Sequence, residues 1–366
     1  MVRLQEIKSL ADQFICVRLI KCNSLDLQLF QFDYDLTFAA FFLSADKTII
    51  ARYGTRNSHD SAEQDVSIKG LAATMASVLK LHKDFDNKKK WVVGKQPGKF
   101  RVDVPENFSK LSRFDSELTY EKEVSKSCIH CHQIRDAYRE DYRDRNLPVP
   151  DKVMYPNPTP LLLGLRFETD SRATVAKVTT DSLAQKSGIK AGDLVQTLNG
   201  QAICSTADVQ WVLHNQGKTG ALDFVIKRPT TLKDTFAKIN AKIALDEGWR
   251  AKSDISWRTS TWDLRRIVGG GMYLENISDS KRKQLKIPED KMALNVRSVG
   301  KYGQHAVAMR AGIRKGDILV RFNERTDLMS ETEVIAYGMQ NAKKNQMVTL
   351  EFIRNGKPIT IKYKLQ

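Results

Sequence analysis

Cysteine is scarce in this chain of 366 residues. Only Cys16, Cys22, Cys128, Cys131 and Cys204 are present, too few for a disulfide scaffold. Long apolar runs are missing as well. The longest clean one, FAAFFL at 38–43, falls far short of the ~20 residues that span a bilayer, so no transmembrane segment is expected. No secretory leader is visible, because Lys and Asp interrupt the apolar positions of the first 20 residues. Taken alone, that points to the cytoplasm. Acidic residues number 43 against 59 Lys and Arg, for a net charge of +16. The excess is spread along the chain. Its densest stretch, 80–101 with Lys88-Lys89-Lys90, reads as a solvated linker or as steering toward acidic partners, and no nucleic-acid partner is expected. The composition, 41% apolar and 28% charged, is that of a globular protein. The length allows a few domains of roughly 100–200 residues.

What the chain does have is an internal repeat. SLAQKSGIKAGDLV at 182–195 recurs as AVAMRAGIRKGDIL at 306–319, a constant offset of 124. In each copy a short helix of small residues ends at a glycine, and a tight Gly-Asp turn leads into a strand. A strand precedes each copy (173–179 and 293–299). An amphipathic helix (206–215 and 331–341) and a closing strand (222–227 and 348–354) follow. This pattern resembles the PDZ domain, in the circular order found in bacterial proteases and chaperones. The first copy ends on Leu198-Asn199-Gly200 in full agreement; Phe322-Asn323-Glu324 departs slightly. The resemblance implies that each copy takes an extended peptide as an added strand, its terminal carboxylate received by backbone amides. The receiving loops would hold Leu163, Gly164 and Leu165 in the first copy, and Gly271, Met272 and Tyr273 in the second. Their apolar character implies a preference for apolar C-termini. His214, on a helix that borders the groove in this fold, is a further candidate contact. Protein or peptide clients are the implied partners.

The N-terminal segment reads differently. Val2, Leu4, Ile7, Leu10, Ala11 and Phe14 are spaced for a helix, 15–20 for a strand, 38–43 and 48–53 for a hairpin, and 68–81 for a closing helix. FFLSADKTIIARYG resembles the central hairpin of the thioredoxin family. The first strand and redox pair of that family would lie upstream of Met1, and Leu36-Thr37 stands where its proline belongs. Three explanations are open: a degenerate scaffold, a misplaced start, or an upstream selenocysteine codon.

Between these parts, Cys128-Ile129-His130-Cys131-His132 is a Cys-x-x-Cys-His motif, the attachment signature of c-type haem. Two thiols would add to the haem vinyl groups and the His132 imidazole would reach the iron from the same helical turn, with Met154, His130 or nothing as sixth ligand. Zinc held by Cys128, Cys131, His130 and His132 is one alternative, a redox dithiol another, and an inert segment the last. Covalent haem requires export, which favours a periplasmic or other extracytoplasmic site over a cytoplasmic one.

An HtrA-type serine protease needs a Gly-x-Ser-Gly-Gly loop with His and Asp partners; that loop is absent, as are a phosphate loop and a His-Glu-x-x-His helix. The chain is therefore expected not to be a serine protease. Nearly its whole length resembles a bacterial family that joins a thioredoxin-like domain to PDZ repeats, some members with selenocysteine, on the strength of FQFDYDLTFAAFFLSADKTIIARYGTR, SCIHCHQ and DISWRTSTWDLRR. The expected fold is α+β and multidomain. An incomplete thioredoxin-like domain occupies 1–86, a linker with the cysteine motif 87–160, one PDZ domain 161–248, a Trp-rich connector 249–269 that packs on one or both repeats, and a second PDZ domain 270–366. The PDZ domains are partly open β-barrels with helices. The expected function is an envelope PDZ protein coupled to a redox or haem site; the alternative is a non-enzymatic adaptor.

Overall fold

A computed structural model describes residues 4–58, 64–120 and 124–366; Val2 falls outside them. Two β-prone stretches separated by Ser44-Ala45-Asp46-Lys47 form a hairpin, β1 (Ala40–Leu43) and β2 (Ile49–Tyr53), with Ala40 opposite Tyr53. Lys47 takes the left-handed turn position at φ 64°. Helix α1 (Ile68–His82) starts where Ser67 accepts the Gly70 N–H, a standard N-cap. Its apolar stripe of Leu71, Met75 and Val78 closes on Ile50, Ala51 and Tyr53. The expected hairpin and closing helix are thus formed. The expected strand at 15–20 is not: Ile15 is 97% and Val17 79% exposed, and no ladder partner reaches them among the described residues. A strand exists by virtue of its neighbour, so this apolar alternation stays an exposed, irregular segment. The expected first helix shrinks to a 3₁₀ turn (Leu4–Ile7) and one α-turn (Lys8–Ala11). The result is a two-stranded sheet with one flanking helix, and the wider thioredoxin sheet is not formed among the described residues.

The chain divides into two units. Met1–Asn107, Ser112–Cys131 and Tyr155–Ser253 make the first; Phe108–Leu111, His132–Met154 and Asp254–Gln366 make the second. In the first, β3 (Leu165–Phe167) pairs with β4 (Val175–Val178). After α2 (Leu183–Lys186) come β5 (Leu194–Leu198), β6 (Gln201–Ala202), α3 (Thr206–His214), β7 (Gly220–Pro229) and β8 (Phe236–Leu245), in a sheet of order β6-β5-β7-β8. Leu163, Leu165, Val195, Val209, Phe224 and Ile226 are among the residues of its core. Strand β8 follows the closing strand expected at 222–227 and is not among the expected strands. It pairs with all of β7, from Gly220 opposite Leu245 to Pro229 opposite Phe236, and turns Ala241, Ile243 and Leu245 inward. Trp249 joins the same core, and its indole N–H donates to the Gly217 carbonyl at 3.0 Å.

In the second unit, α4 (Thr261–Ile267) leads into β9 (Met272–Asn276). Then follow β10 (Leu294–Val299), α5 (Val307–Arg310), β11 (Ile318–Phe322), α6 (Glu331–Asn341), β12 (Met347–Arg354) and β13 (Lys357–Lys364). The strands form one sheet of order β13-β12-β11-β10-β9. Both units tie their Gly-Asp turn by the same fork. Arg228 grips Asp193 through Nε and Nη2, both at 2.7 Å, and Nη2 also donates to the Gly188 carbonyl. Arg354 does the same to Asp317, at 2.7 and 2.6 Å, and to the Gly312 carbonyl. Planar bidentate pairing suits Arg and not Lys. Neither arginine stands out in the sequence, because the partners are 35 and 37 residues apart.

The second unit also gathers Lys110, Glu140, Asp263 and Arg266. Lys110 Nζ lies 2.8 Å from Glu140 and 2.7 Å from Asp263, and Arg266 Nε 2.8 Å from Asp263. Burial pushes the Asp263 carboxyl up, but Arg266 and Lys110 outweigh it and hold it at about 2. A depressed carboxyl contributes stability that is present above its unfolded value and is lost as pH falls through the folded one. Unfolding experiments between pH ~4 and ~2 should therefore show a loss of about 2 kcal/mol that Asp263→Asn removes. Equal acid slopes in the two proteins would refute this.

Candidate functional site

The loop before β3 is Leu161-Leu162-Leu163-Gly164. Gly164 sits at φ 80°, and a Cβ there would come 2.1 Å from the Ser182 Cβ, so only glycine fits. Its N–H donates to the Leu161 carbonyl and its carbonyl accepts from Thr179. The Leu163 and Leu165 side chains point into the core and are fully buried. They cannot select a ligand's side chain, which corrects the expected source of an apolar preference. Beside the loop, a small cavity of about 70 Å³ lies between β3 (Arg166, Phe167), the start of α3 (Thr206, Ala207) and the end of the hairpin (Gly54, Thr55).

Helix α3 is buried on almost every side. Val209, Val212 and Leu213 face its own sheet. Its other face docks on the hairpin: Asp208 accepts from Lys95 Nζ at 2.7 Å, from the Cys204 amide at 2.9 Å and from the Arg52 amide at 3.1 Å. The Arg52 guanidinium lies over the Trp211 ring at 3.6 Å, and burial lowers its pKa to about 9, so it stays charged at neutral pH. Thr55 Oγ1 donates to Gln210 Oε1 at 2.7 Å. His214, expected at the groove, accepts the Asn157 N–H on Nδ1 at 3.2 Å.

The second copy is built alike and wired differently. Gly270 and Gly271 have φ of 60° and 93°, and a Cβ on Gly271 would come 1.8 Å from the His305 carbonyl oxygen. The Gly271 amide donates to Arg265 and the Met272 amide to Gly269. Met272 is a core residue. Tyr273 lies under the Arg265 guanidinium, 4.1 Å from the ring centre. Further along β9, the Leu274 amide donates to Glu331 Oε1 of helix α6 at 2.8 Å. Glu331 is gripped by Arg265, Nε to Oε1 at 3.0 Å and Nη2 to Oε2 at 2.6 Å, both residues being buried. A carboxylate of the same unit thus occupies a backbone donor of β9, the edge strand of the sheet.

The Cys-x-x-Cys-His residues fall on both sides of the division. In the first unit, Cys131 Sγ lies 3.2 Å from Cys22 Sγ, while Cys128 Sγ points to the Ile129 carbonyl and His130 is exposed. In the second, His132 Nδ1 stands 3.6 Å from Asp136, and Met154 is fully buried. The Cys131 thiol is thus packed on the Cys22 thiol. Among the described residues, no group of three or more His, Cys, Asp or Glu converges in a metal-binding geometry. Cys204 is a core residue, its thiol pushed up to about 11 by burial.

Sequence reasoning passed over Arg52, Lys95, Asp208, Arg265 and Glu331. Part of a signal was there: Ser205…Asp208 and Ser330…Glu333 have capping-box spacing, and both serines do cap. Nothing local pointed to the cations.

Residues 162–239 match the family model of the PDZ domain, so a PDZ domain is present, and protein or peptide partners follow from it. Among curated proteins, the chain is 26% identical over 206 residues to the "Probable periplasmic serine endoprotease DegP-like" of Pseudomonas fulva, covering 54% of this chain and 39% of that protein. The protein of that name in Ectopseudomonas mendocina is 24% identical over 201 residues, covering 53% and 38%. The chain thus spans about two fifths of the length of these relatives. Among solved structures, the "HtrA-type protease AlgW with decapeptide" aligns at 11% identity over 52% of this chain and 54% of that one, with a TM-score of 0.24. These findings correct the exclusion drawn above, that the chain is not a serine protease: the relatives it matches are named serine endoproteases. The exclusion rested on a short local signature, and the lack of one loop in a stretch of sequence does not set the activity of the proteins related to it. No helix among the described residues is long and apolar enough to cross a membrane.

Proposed function

We propose that this is an extracytoplasmic peptide-binding protein in which the first PDZ domain receives an extended client segment along β3. The observation that carries the reading is the match at 162–239, which spans the glycine loop, β3 and α3. Gly164 is locked under Ser182, and a cleft opens between β3 and the start of α3. Strand addition uses main-chain hydrogen bonds for affinity and the cleft for selection. Residues 270–366 are a second PDZ domain by this reading, supported by the same order of elements and the Asp317–Arg354 fork. Its peptide edge is held by Glu331, so the first domain is the receptor. The periplasmic names of the relatives support the location.

The test is binding of fluorescent peptides with varied C-termini to the full chain. Binding that Thr206→Arg, at the mouth of the cleft, weakens by roughly tenfold (about 1.4 kcal/mol) is expected. No binding, or binding untouched by that variant, would overturn the reading. The names of the relatives carry a second reading, endoprotease activity. Hydrolysis of unfolded casein by the full chain, blocked by a fluorophosphonate, is its expected sign.

A further inference from the structure

The cysteine motif contains a pairing that its spacing does not suggest. Residues 22–23 and 127–129 are stapled in both directions. The Cys22 amide donates to the Ile129 carbonyl at 3.1 Å, the Ile129 amide donates to Asn23 Oδ1 at 2.9 Å, and Asn23 Nδ2 donates to the Ser127 carbonyl at 2.9 Å. Asn23 is itself buried and ties Asp115 into the same corner. The staple presents Cys22 Sγ to Cys131 Sγ at 3.2 Å, across 109 residues of sequence, and these five cysteines carry no disulfide. A bond of ~2.05 Å needs the two sulfurs to close by about 1 Å. Cys128, the neighbour that a Cys-x-x-Cys reading would choose, is aimed at a carbonyl instead.

We propose that Cys22 and Cys131 are the working pair of a thiol–disulfide exchange site whose substrate is a small exogenous disulfide. Cys131, partly exposed, is the entry thiol; Cys22, buried, resolves. The Cys131 thiolate attacks one sulfur of the substrate, its S–S bond breaks, and the first substrate thiol leaves with the proton that Cys131 gave up. The mixed disulfide on Cys131 is then attacked by the Cys22 sulfur, whose proton goes to the departing second thiol. Two protein thiols are oxidised to one disulfide, one substrate disulfide is reduced to two thiols, and no other oxidant enters. Cys22 is buried behind Cys131, so it meets the substrate only as the mixed disulfide on Cys131 and does not start the reaction.

The full chain would be incubated with oxidised glutathione, alkylated, digested and mapped by mass spectrometry. A Cys22–Cys131 linkage with Cys128 alkylated is expected. Cys22→Ser should trap glutathione on Cys131, with occupancy raised roughly tenfold by loss of the resolving thiol. Cys128→Ser should leave the Cys22–Cys131 linkage intact, which keeps the test decisive if Cys22→Ser does not fold. A Cys128–Cys131 linkage, or alkylation of all three thiols, would overturn the proposal.

Discussion

Lys95→Met is expected to cost the first unit about 3–5 kcal/mol, because it leaves a buried carboxylate without its counter-charge. Lys95 is 0% and Asp208 1% exposed by side chain, with 2.7 Å between Nζ and Oδ2. Water cannot screen what is left behind. The pair also carries a helix of the peptide-binding domain, since Asp208 closes the first turn of α3 through the Cys204 amide. Asp208→Asn keeps an acceptor for that amide but leaves a buried ammonium, so it should be costly too. The double variant Lys95→Met/Asp208→Asn should cost clearly less than the sum of the singles, since no lone charge remains. Urea unfolding of the four proteins gives the coupling. Singles below about 1 kcal/mol, or strict additivity, would reject the account.

Arg265→Leu should cost the second unit a similar amount, about 3–5 kcal/mol at neutral pH. Glu331 then loses both bonds of the fork while still buried against the Leu274 amide. Burial already pushes the Glu331 carboxyl up, opposed by Arg265. Without Arg265 it rises further. A carboxyl raised in the folded state contributes stability at low pH that is lost as pH rises through its folded value. The penalty of Arg265→Leu should therefore be small near pH 4 and grow toward pH 8. Adding Glu331→Gln should recover part of it, as the neutral amide oxygen can still accept from Leu274. A pH-independent penalty would show that Arg265 acts by packing alone.

Much of the fold was legible because it rests on local pattern. The helix at 331–341 and the closing strand after it come from periodicity within a few turns of chain, and the Gly-Asp turns from two residues at fixed offset. β8 was also readable, since Ile239, Ala241, Ile243 and Leu245 alternate, yet the expected strands stopped at 222–227. The exposed 15–20 segment shows the limit from the other side. Its pattern suits a strand, yet a strand also needs a neighbour. Gly164 and Gly271, which the sequence marks, take positive φ, whereas the leucines flanking Gly164 serve the core.

By itself the sequence determined the repeated strand–turn–helix unit, the glycine that each receiving loop requires, and the serines that start the two long helices of the repeat. Each depends on residues within a few positions of one another, where backbone geometry decides. Only the tertiary structure decided that Lys95 meets Asp208, that Arg265 and Glu331 hold the edge of β9, and that Cys131 faces Cys22 and not Cys128. These contacts join charges and thiols far apart in the chain. Their partners are chosen by which surfaces the packed elements bury together, and burial is what gives such pairs their energy.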